Sequence, residues 1–237
     1  MLRDRMSNLR VLPLLTLLVL AGCGSSGSSD KKAEATATAP AATATATTSQ
    51  PASGCQKVAR PKPKADGKLS KPSLKVDAGK TYTALVKTSC GEFTIKLDTK
   101  RAPKTSASFV SLARKKFFDH LTFHRIVPGF VIQGGDPLGT GLGGPGYSVT
   151  EAPPKSLAYT RGVVAMAKGG AEPSGASGSQ FFVVTGDSAQ LPPDYALLGT
   201  IGKGQDVVDT IGTTPTDPTT EMPVDPVVID SVTISEK

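Results

Sequence analysis

The sequence has no Trp, two His and three Cys among 237 residues, and aromatic side chains make up only 5% of it. So few His and Cys argue against an all-Cys/His zinc site, which needs four such ligands. They also exclude a disulfide scaffold, because those proteins are short and dense in Cys. Gly (25) and Pro (19) are abundant by contrast. This composition argues against a helical bundle and favours turns, a barrel or a long linker.

The net charge of +7 is unevenly distributed along the chain. Residues 1–22 carry three basic and one acidic side chain, residues 23–72 carry eight and three, and residues 73–237 carry sixteen of each. A domain with no net charge lacks the positive surface that a nucleic-acid backbone requires. We therefore expect no nucleic acid among the partners.

The N-terminus has the pattern of a secretory signal. Three Arg side chains precede an apolar run at residues 11–20, which is too short for a membrane helix of about 20 residues. A basic segment followed by a short apolar one is typical of export signals. We predict a signal peptide at residues 1–22.

The apolar run ends in Leu20-Ala21-Gly22-Cys23. This motif resembles the bacterial lipobox, in which the Cys is acylated and becomes the new N-terminus. The resemblance implies a lipoprotein that Cys23 anchors to the outer face of the bacterial cell membrane, held firmly because two acyl chains bind a bilayer far better than one. The alternative is an ordinary signal peptide in which Cys23 is incidental.

A low-complexity segment follows. Of residues 31–54, nineteen of twenty-four are Ala, Thr, Ser or Pro, so the segment cannot bury enough apolar surface to offset the entropy of ordering. We predict a disordered Ala/Thr/Pro-rich tether at residues 23–72. Its basic stretch, residues 60–64, is interpreted as solvated, with contact to anionic lipid head groups as the alternative.

Residues 73–237 have the pattern of one all-β domain. Alternating or β-branched runs predict eight strands: Tyr82–Thr88, Phe93–Leu97, Thr122–Val127, Phe130–Gln133, Gly162–Ala167, Gln180–Thr185, Ala196–Ile201 and Val227–Ile234. Helical spacing predicts two helices, one from Pro103 to about Lys116 and one over Gln205–Ile211. Eight strands and two helices in this length predict a closed eight-stranded antiparallel barrel capped by the helices.

Two patterns have the form of functional motifs. The glycines from Gly139 to Gly144 match a dinucleotide-binding spacing, but Pro145-Gly146 and then a strand pattern at Tyr147–Thr150 follow where that motif requires a helix. His120 and His124 are spaced as a base or metal pair, yet no third ligand or nucleophile is placed beside them. We interpret the glycines as a loop and both His as structural or surface residues.

Three further blocks resemble the cyclophilin family of peptidyl-prolyl cis–trans isomerases: Phe123–Asp136, Gly162–Ala167 and Gly178–Val183. The C-terminal run Leu197–Val208 extends the match, so that it covers about residues 80–235. The resemblance implies an enzyme that accelerates rotation about Xaa-Pro bonds with no cofactor or metal. It also implies binding of Pro-containing polypeptides, and we expect a monomer.

The family's site residues carry over position by position. Arg125 takes the place of the catalytic guanidinium, and Gln133 that of the glutamine which hydrogen-bonds the substrate backbone. The implied substrate-binding residues are Phe130, Val131, Ala167, Lys168, Gln180, Phe182, Leu191 and Tyr195. Val131, Lys168 and Tyr195 depart from the residues common in the family, as does Gln190 at the position of an indole.

Two functions therefore stay open. One is an isomerase that assists the folding of exported proteins, and the other is a non-catalytic, membrane-tethered module that binds Pro-containing segments. Arg125 and Gln133 discriminate between them, because a pure binding module has no need of either.

The two remaining thiols, Cys55 and Cys90, belong to a chain that we expect to be exported, where disulfides persist. We predict that they pair with each other, with an intermolecular bridge or free thiols as the alternatives. Closing about 36 residues would stabilise the fold by roughly 3–4 kcal/mol in the chain-entropy account.

Overall fold

The computed structural model describes residues 54–65 and 67–237. The elements follow in the order β1 (Tyr82–Thr88), β2 (Gly91–Leu97), α1 (Pro103–Arg114), β3 (Leu121–Val127), β4 (Val131–Gly134), β5 (Val149–Thr150), β6 (Val163–Met166), β7 (Ala176–Ser177), β8 (Phe181–Val184), β9 (Leu197–Lys203), α2 (Gln205–Gly212) and β10 (Val228–Glu236). The predicted signal peptide, Cys23 and the predicted tether up to residue 53 lie outside the described residues. Within the described ranges no helix is long and apolar enough to span a membrane.

Eight strands close into an antiparallel barrel in the order β1, β10, β3, β4, β8, β6, β9, β2. The predicted fold class is confirmed. Closure leaves no barrel strand with an unpaired edge, which suits a sequence of many short strands. Helix α1 packs against β9 and β10, and α2 packs against β2, β3 and β4.

Local sequence explains the first hairpin and the first helix. Thr88 pairs with Gly91 across a two-residue turn, and Gly91 has a φ of 122°, a conformation that favours glycine. Pro103 begins α1, and the carboxylate of Glu151 accepts hydrogen bonds from the backbone N–H groups of Lys104 and Thr105. An anion at this position complements the positive end of the helix.

The sequence indicates the first of two short strands outside the barrel but not the second. Strands β5 and β7 pair through Val149 with Ser177 and Thr150 with Ala176, forming a separate two-stranded sheet. No strand is predicted from the sequence at Ala176–Ser177, where the structure has β7. A two-residue strand is too short to show an alternating pattern, so only its partner identifies it.

The buried apolar residues form two clusters on opposite faces of the barrel wall. The inner cluster joins residues of the barrel interior to residues of both helices; it includes Phe93, Phe109, Phe118, Phe123, Ile126, Ile132, Val164, Phe181, Val183 and Val208. The outer cluster consists of Ala102, Val131, Tyr159, Val163, Ala165, Phe182, Val184, Ala189 and Leu197. Alternate residues of β4, β6 and β8 belong to different clusters, as the period of two in a strand requires.

The segment before β1 lies against the barrel from residue 54 onward. Cys55 forms a disulfide with Cys90, which confirms the predicted pairing. The N–H of Gln56 donates to Ser89, that of Lys64 to Pro137 and that of Leu69 to Pro145, at 2.8 Å each. We call residues 54–65 and 67–72 the N-terminal strap.

The composition of the N-terminal strap predicts part of a disordered tether, whereas the structure attaches the strap to the domain. Its composition is poor in apolar residues, but backbone hydrogen bonds and a disulfide do not depend on apolar composition. The domain boundary predicted at residue 73 therefore lies inside a segment that contacts the barrel.

Candidate active site

One row of side chains crosses four neighbouring strands on the outer face of the barrel. Arg125 of β3 lies opposite Gln133 of β4, and Gln133 lies opposite Phe182 of β8. Phe182 in turn lies opposite Ala165 of β6. Directly opposed residues of neighbouring strands project from the same face. The fold thereby places a guanidinium, an amide and an aromatic ring beside one another.

A β-bulge at His124 decides which face Arg125 occupies. The register of β3 against β4 shifts between Phe123 and Arg125, so β3 accommodates one extra residue there. Phe123 and Ile126 both belong to the inner cluster, each with 0% of its surface exposed. Strict alternation would place Arg125 on the same face as Phe123. The bulge redirects the guanidinium to the outer face, a use of bulges that recurs beside active sites.

The row borders a cavity of about 220 Å³. Nine of the ten residues that the family resemblance assigns to catalysis or substrate binding line it: Arg125, Phe130, Val131, Gln133, Ala167, Lys168, Phe182, Leu191 and Tyr195. Val131 and Phe182 are 2% and 4% exposed and continue into the outer cluster. The cavity therefore has an apolar floor with a cation and an amide on its rim, which suits a small apolar ring attached to a polar backbone.

Gln180, the tenth residue, lies beside this cavity and orients Gln133. The Nε2 of Gln133 donates to Oε1 of Gln180 at 3.0 Å. The Nε2 of Gln180 donates in turn to the carbonyl oxygens of Gly141 and Gly143, at 2.9 Å each. This chain of hydrogen bonds fixes the amide of Gln133 before any ligand binds.

Lys168 directs its ammonium group toward Asp194. Its Nζ lies 2.8 Å from Oδ2 of Asp194, and the Lys168 side chain is only 6% exposed. Nζ also donates to the carbonyl of Glu172 at 3.1 Å. The hydrogen bond with Asp194 raises the pKa of Lys168, and the same bond lowers the pKa of Asp194. The positive charge of Lys168, an unusual residue for this position in the family, is thus balanced by the carboxylate of Asp194 at the wall of the cavity.

Comparison with known proteins shows the family of this chain. The family model described as cyclophilin type peptidyl-prolyl cis-trans isomerase/CLD matches residues 83–234. The chain is 38% identical over 172 residues to peptidyl-prolyl cis-trans isomerase B of Streptomyces anulatus, covering 65% of this chain and 97% of that protein. It belongs to the cyclophilin family.

Other relatives agree with this assignment. Peptidyl-prolyl cis-trans isomerase A of Mycobacterium tuberculosis (strain ATCC 25618 / H37Rv) is 39% identical over 173 residues, which cover 65% of this chain and 93% of that protein. A crystal structure of a Cryptosporidium parvum cyclophilin type peptidyl-prolyl cis-trans isomerase in the presence of the dipeptide Ala-Pro matches with a TM-score of 0.60 and 30% identity. That match covers 65% of this chain and 98% of the other.

Tyr159 contacts the cavity-lining residue Tyr195 and supports it, a role that the sequence did not predict. Its hydroxyl donates to the carbonyl of Tyr195 at 2.6 Å and accepts from the N–H of Tyr195 at 3.0 Å. Burial raises the pKa of Tyr159 to about 12. The two rings meet edge to face at 6.1 Å, and the Tyr195 ring meets Phe182 in the same way at 5.5 Å. Because 36 residues separate Tyr159 from Tyr195, no local pattern could pair them.

Glu221 is the second residue that sequence reasoning missed. Its Oε2 accepts a hydrogen bond from Nε of Arg125 at 2.5 Å. The guanidinium carbon of Arg125 also lies 6.0 Å from the centre of the Phe130 ring, within range of a cation–π interaction. Glu221 lies in a loop, 96 residues from Arg125 in the sequence. No local sequence pattern around either residue predicts their contact.

The two His residues occupy different environments. His120 is exposed, whereas His124 is buried at 4% exposure. Burial lowers the pKa of His124, and the nearby Arg125 adds to that effect against the opposing charge of Asp136. His124 is therefore neutral near pH 7.

The glycine-rich motif folds around an internal carboxylate. Asp136 accepts hydrogen bonds from the N–H groups of Leu138 and Thr140 at 2.8 Å each and from Gly141 at 2.5 Å. The chain then continues to strand β5, and no helix begins after the glycines. The backbone donors that a dinucleotide phosphate would need are occupied by Asp136, as expected of a loop.

Proposed function

We propose that this chain is an exported, lipid-anchored peptidyl-prolyl cis–trans isomerase that assists the folding of proteins outside the cell membrane. The observation that carries the catalytic part is the placement of Arg125, Gln133 and Phe182 around a single apolar cavity. The relatives named above carry the same activity in their names. A pure binding module would need the cavity but neither the guanidinium nor the oriented amide, so the isomerase is favoured.

The reaction requires rotation about a bond and breaks none. Amide resonance sets a barrier of about 18–20 kcal/mol to rotation, and uncatalysed Xaa-Pro exchange takes tens to hundreds of seconds. In the planar amide the proline nitrogen is a poor hydrogen-bond acceptor, because its lone pair is delocalised. At the twisted transition state the lone pair is localised on the nitrogen and accepts well.

Arg125 is the group that can exploit this difference. A guanidinium directed at the proline nitrogen stabilises the transition state more than the ground state, which is the condition for catalysis. One charge-assisted hydrogen bond contributes about 1.5–3 kcal/mol. Since each 1.36 kcal/mol is tenfold in rate, this bond supplies roughly 10–150-fold.

The remaining acceleration is assigned to positioning. The floor formed by Phe182, Val131 and Leu191 holds the proline ring, and Gln133 holds the backbone on the other side of the rotating bond. Holding one side while the other turns converts binding energy into a lower barrier. Gln133 can serve in this way because Gln180 fixes its amide.

Export and anchoring rest on the N-terminal sequence and on the disulfide. The signal-like segment ending in Cys23 supports acylation there. The Cys55–Cys90 disulfide supports an oxidising compartment, since such bonds are rare in reducing ones. Residues between Cys23 and the N-terminal strap would link the lipid to the barrel.

The activity is tested on the full chain with an Xaa-Pro peptide. Exchange NMR measures isomerisation of the peptide directly, and calorimetry measures its Kd. We expect exchange that is faster than in buffer and proportional to protein concentration. Binding without acceleration would establish the binding module instead.

Anchoring is tested separately. We expect the full chain to fractionate with membranes in a bacterial host, and mass spectrometry of the N-terminal peptide to find Cys23 acylated. Cys23→Ser should release the chain from the membrane fraction. An unmodified N-terminal Cys23 in the wild-type protein would refute the anchor and leave the isomerase proposal intact.

A further inference from the structure

The contact between Arg125 and Glu221 joins the site to a loop outside the barrel wall. The two side chains are 34% and 41% exposed, so the ion pair lies at the rim of the cavity. Glu221 engages only Nε of Arg125. Within the described part of the chain, no residue accepts a hydrogen bond from either Nη group. Both Nη groups are therefore available to a bound peptide.

Backbone hydrogen bonds hold Glu221 next to Arg125 independently of its side chain. The N–H of Ile126, the residue after Arg125, donates to the carbonyl of Glu221 at 2.9 Å. The N–H of Glu221 donates to the carbonyl of Asp217 at 2.8 Å. The loop is thus docked onto β3 at the position of the guanidinium, and the Glu221 carboxylate adds a second contact there.

The loop around Glu221 is itself well supported. Oδ1 of Asp217 accepts from the N–H groups of Thr219 and Thr220 at 3.0 and 2.8 Å, and these hydrogen bonds lower the pKa of Asp217. On the other side, Arg60 of the N-terminal strap donates to the carbonyl of Pro223 at 3.1 Å. The carboxylate is therefore presented by a braced turn.

The backbone of Glu221 is unfavourable for its residue type. Its φ is 58°, in the left-handed region, where a residue with a Cβ is strained and glycine is not. Strain of this kind is concentrated at functional sites. Glycine would adopt this backbone conformation with less strain. The carboxylate, which glycine lacks, is therefore what distinguishes Glu at this position.

We propose that Glu221 is a positioning residue for the isomerase reaction. By accepting from Nε, its carboxylate holds the guanidinium plane so that the Nη groups face the proline nitrogen at the cavity. The inference rests on the proposed function. The carboxylate also reduces the net positive charge at the rim, which would weaken catalysis. Orientation outweighs this effect, because the transition-state hydrogen bond depends strongly on direction.

Glu221→Gly is the decisive variant, because it removes the carboxylate and relieves the left-handed strain together. We expect kcat to fall about tenfold with KM changed by less than about twofold, a loss smaller than the roughly 100-fold that a 1 Å misplacement can cause. The thermal midpoint should stay the same or rise. Glu221→Gln keeps an acceptor oxygen and should recover part of the lost kcat.

Lys116→Gly is the matched control. Lys116 has a φ of 55° and an exposed side chain, so this variant relieves the same kind of strain with no contact to the cavity. We expect a similar effect on the thermal midpoint and wild-type kcat. A reduced kcat in this control would attribute the effect to backbone strain and overturn the proposal.

NMR of the Arg125 Nε–H group reads the contact without any assay of activity. In the wild-type chain this resonance should be shifted and protected from exchange, and in Glu221→Gly it should move to the position of a free guanidinium. An unchanged resonance, or wild-type kcat in Glu221→Gly, would overturn the role of Glu221. A wild-type chain without isomerase activity would contradict the proposed function, while the resonance would still report whether the contact exists.

Discussion

Phe181 and Phe182 are adjacent in the sequence but belong to opposite faces of the barrel wall. Phe181 is 0% exposed in the inner cluster, where its neighbours are the rings of Phe109, Phe118 and Phe123 at 5.8–6.0 Å. Phe182 is 4% exposed in the outer cluster and meets the rings of two tyrosines at 5.5 and 6.2 Å. The inner neighbours are wholly apolar, whereas the outer neighbours carry hydroxyl groups.

This difference separates stability from binding. The inner rings pack edge to face, stacked or tilted and have no polar atom to satisfy, so they stabilise the fold. The outer rings combine apolar packing with fixed hydroxyl positions, and they leave one surface of Phe182 open to the cavity. Consecutive residues of one strand thus serve different purposes because a strand presents alternate residues to opposite faces.

Truncating the two rings should separate these purposes most clearly. Phe181→Ala should lower the free energy of unfolding by about 3–5 kcal/mol, the usual loss for a buried Phe. Phe182→Ala should destabilise less and weaken binding of a Pro-containing peptide, because its ring is the floor of the cavity. Urea unfolding and calorimetric Kd measure the two effects. If Phe182→Ala lost as much free energy of unfolding as Phe181→Ala and kept its peptide affinity, the two faces would not differ in function.

Removing the disulfide should lower stability without changing peptide binding at the outer face. Cys90 belongs to the inner cluster and joins it to the N-terminal strap. Cys55→Ser with Cys90→Ser should lower the free energy of unfolding by about 3–4 kcal/mol, since an open chain loses more entropy on folding. Peptide affinity should be unchanged. The control is a reducing agent, which should destabilise the wild type but leave the double variant unaffected.

Replacing Arg125 should lower catalytic activity at the outer face. Arg125→Ala should lower kcat/KM by roughly 10–150-fold, the span of one charge-assisted hydrogen bond. Peptide affinity should fall much less, because the ground-state nitrogen offers the guanidinium little. Arg161→Ala, which also breaks an arginine ion pair with a carboxylate, here Asp209, is the control and should keep wild-type activity. Wild-type exchange rates in Arg125→Ala would refute the mechanism.

His124, at the bulge between the two faces, should give the smallest effect. Its pKa is lowered by burial, so the unfolded chain binds more protons than the folded one as the pH falls below about 6.5. The free energy of unfolding should therefore decrease with falling pH in that window. His124→Gln should remove this part of the pH dependence. Urea midpoints at pH 5 and pH 7.5 provide the measurement, and an identical dependence in both proteins would exclude His124 as its source.

The sequence alone was sufficient to predict the barrel, its first hairpin and most residues that line the cavity. Alternation in the run Tyr82–Thr88 predicted β1 with its observed bounds, because a period of two is a local property. Arg125, Gln133 and Phe182 could be placed through contiguous motifs. The pattern at Tyr147–Thr150 indicated β5, whereas β7 could not be predicted, since two residues have no period.

Tertiary structure alone decided how these residues act together. The bulge at His124 depends on the pairing of β3 with β4, and it sets the face of Arg125. The support of Tyr195 by Tyr159, the contact of Glu221 with Arg125 and the attachment of the N-terminal strap all join distant residues. A periodic pattern records which face of a strand is buried, but it does not record which distant segment packs there. Barrel closure fixes the neighbours of each strand, and hydrogen bonds and the disulfide then fix which loop segments pack beside them.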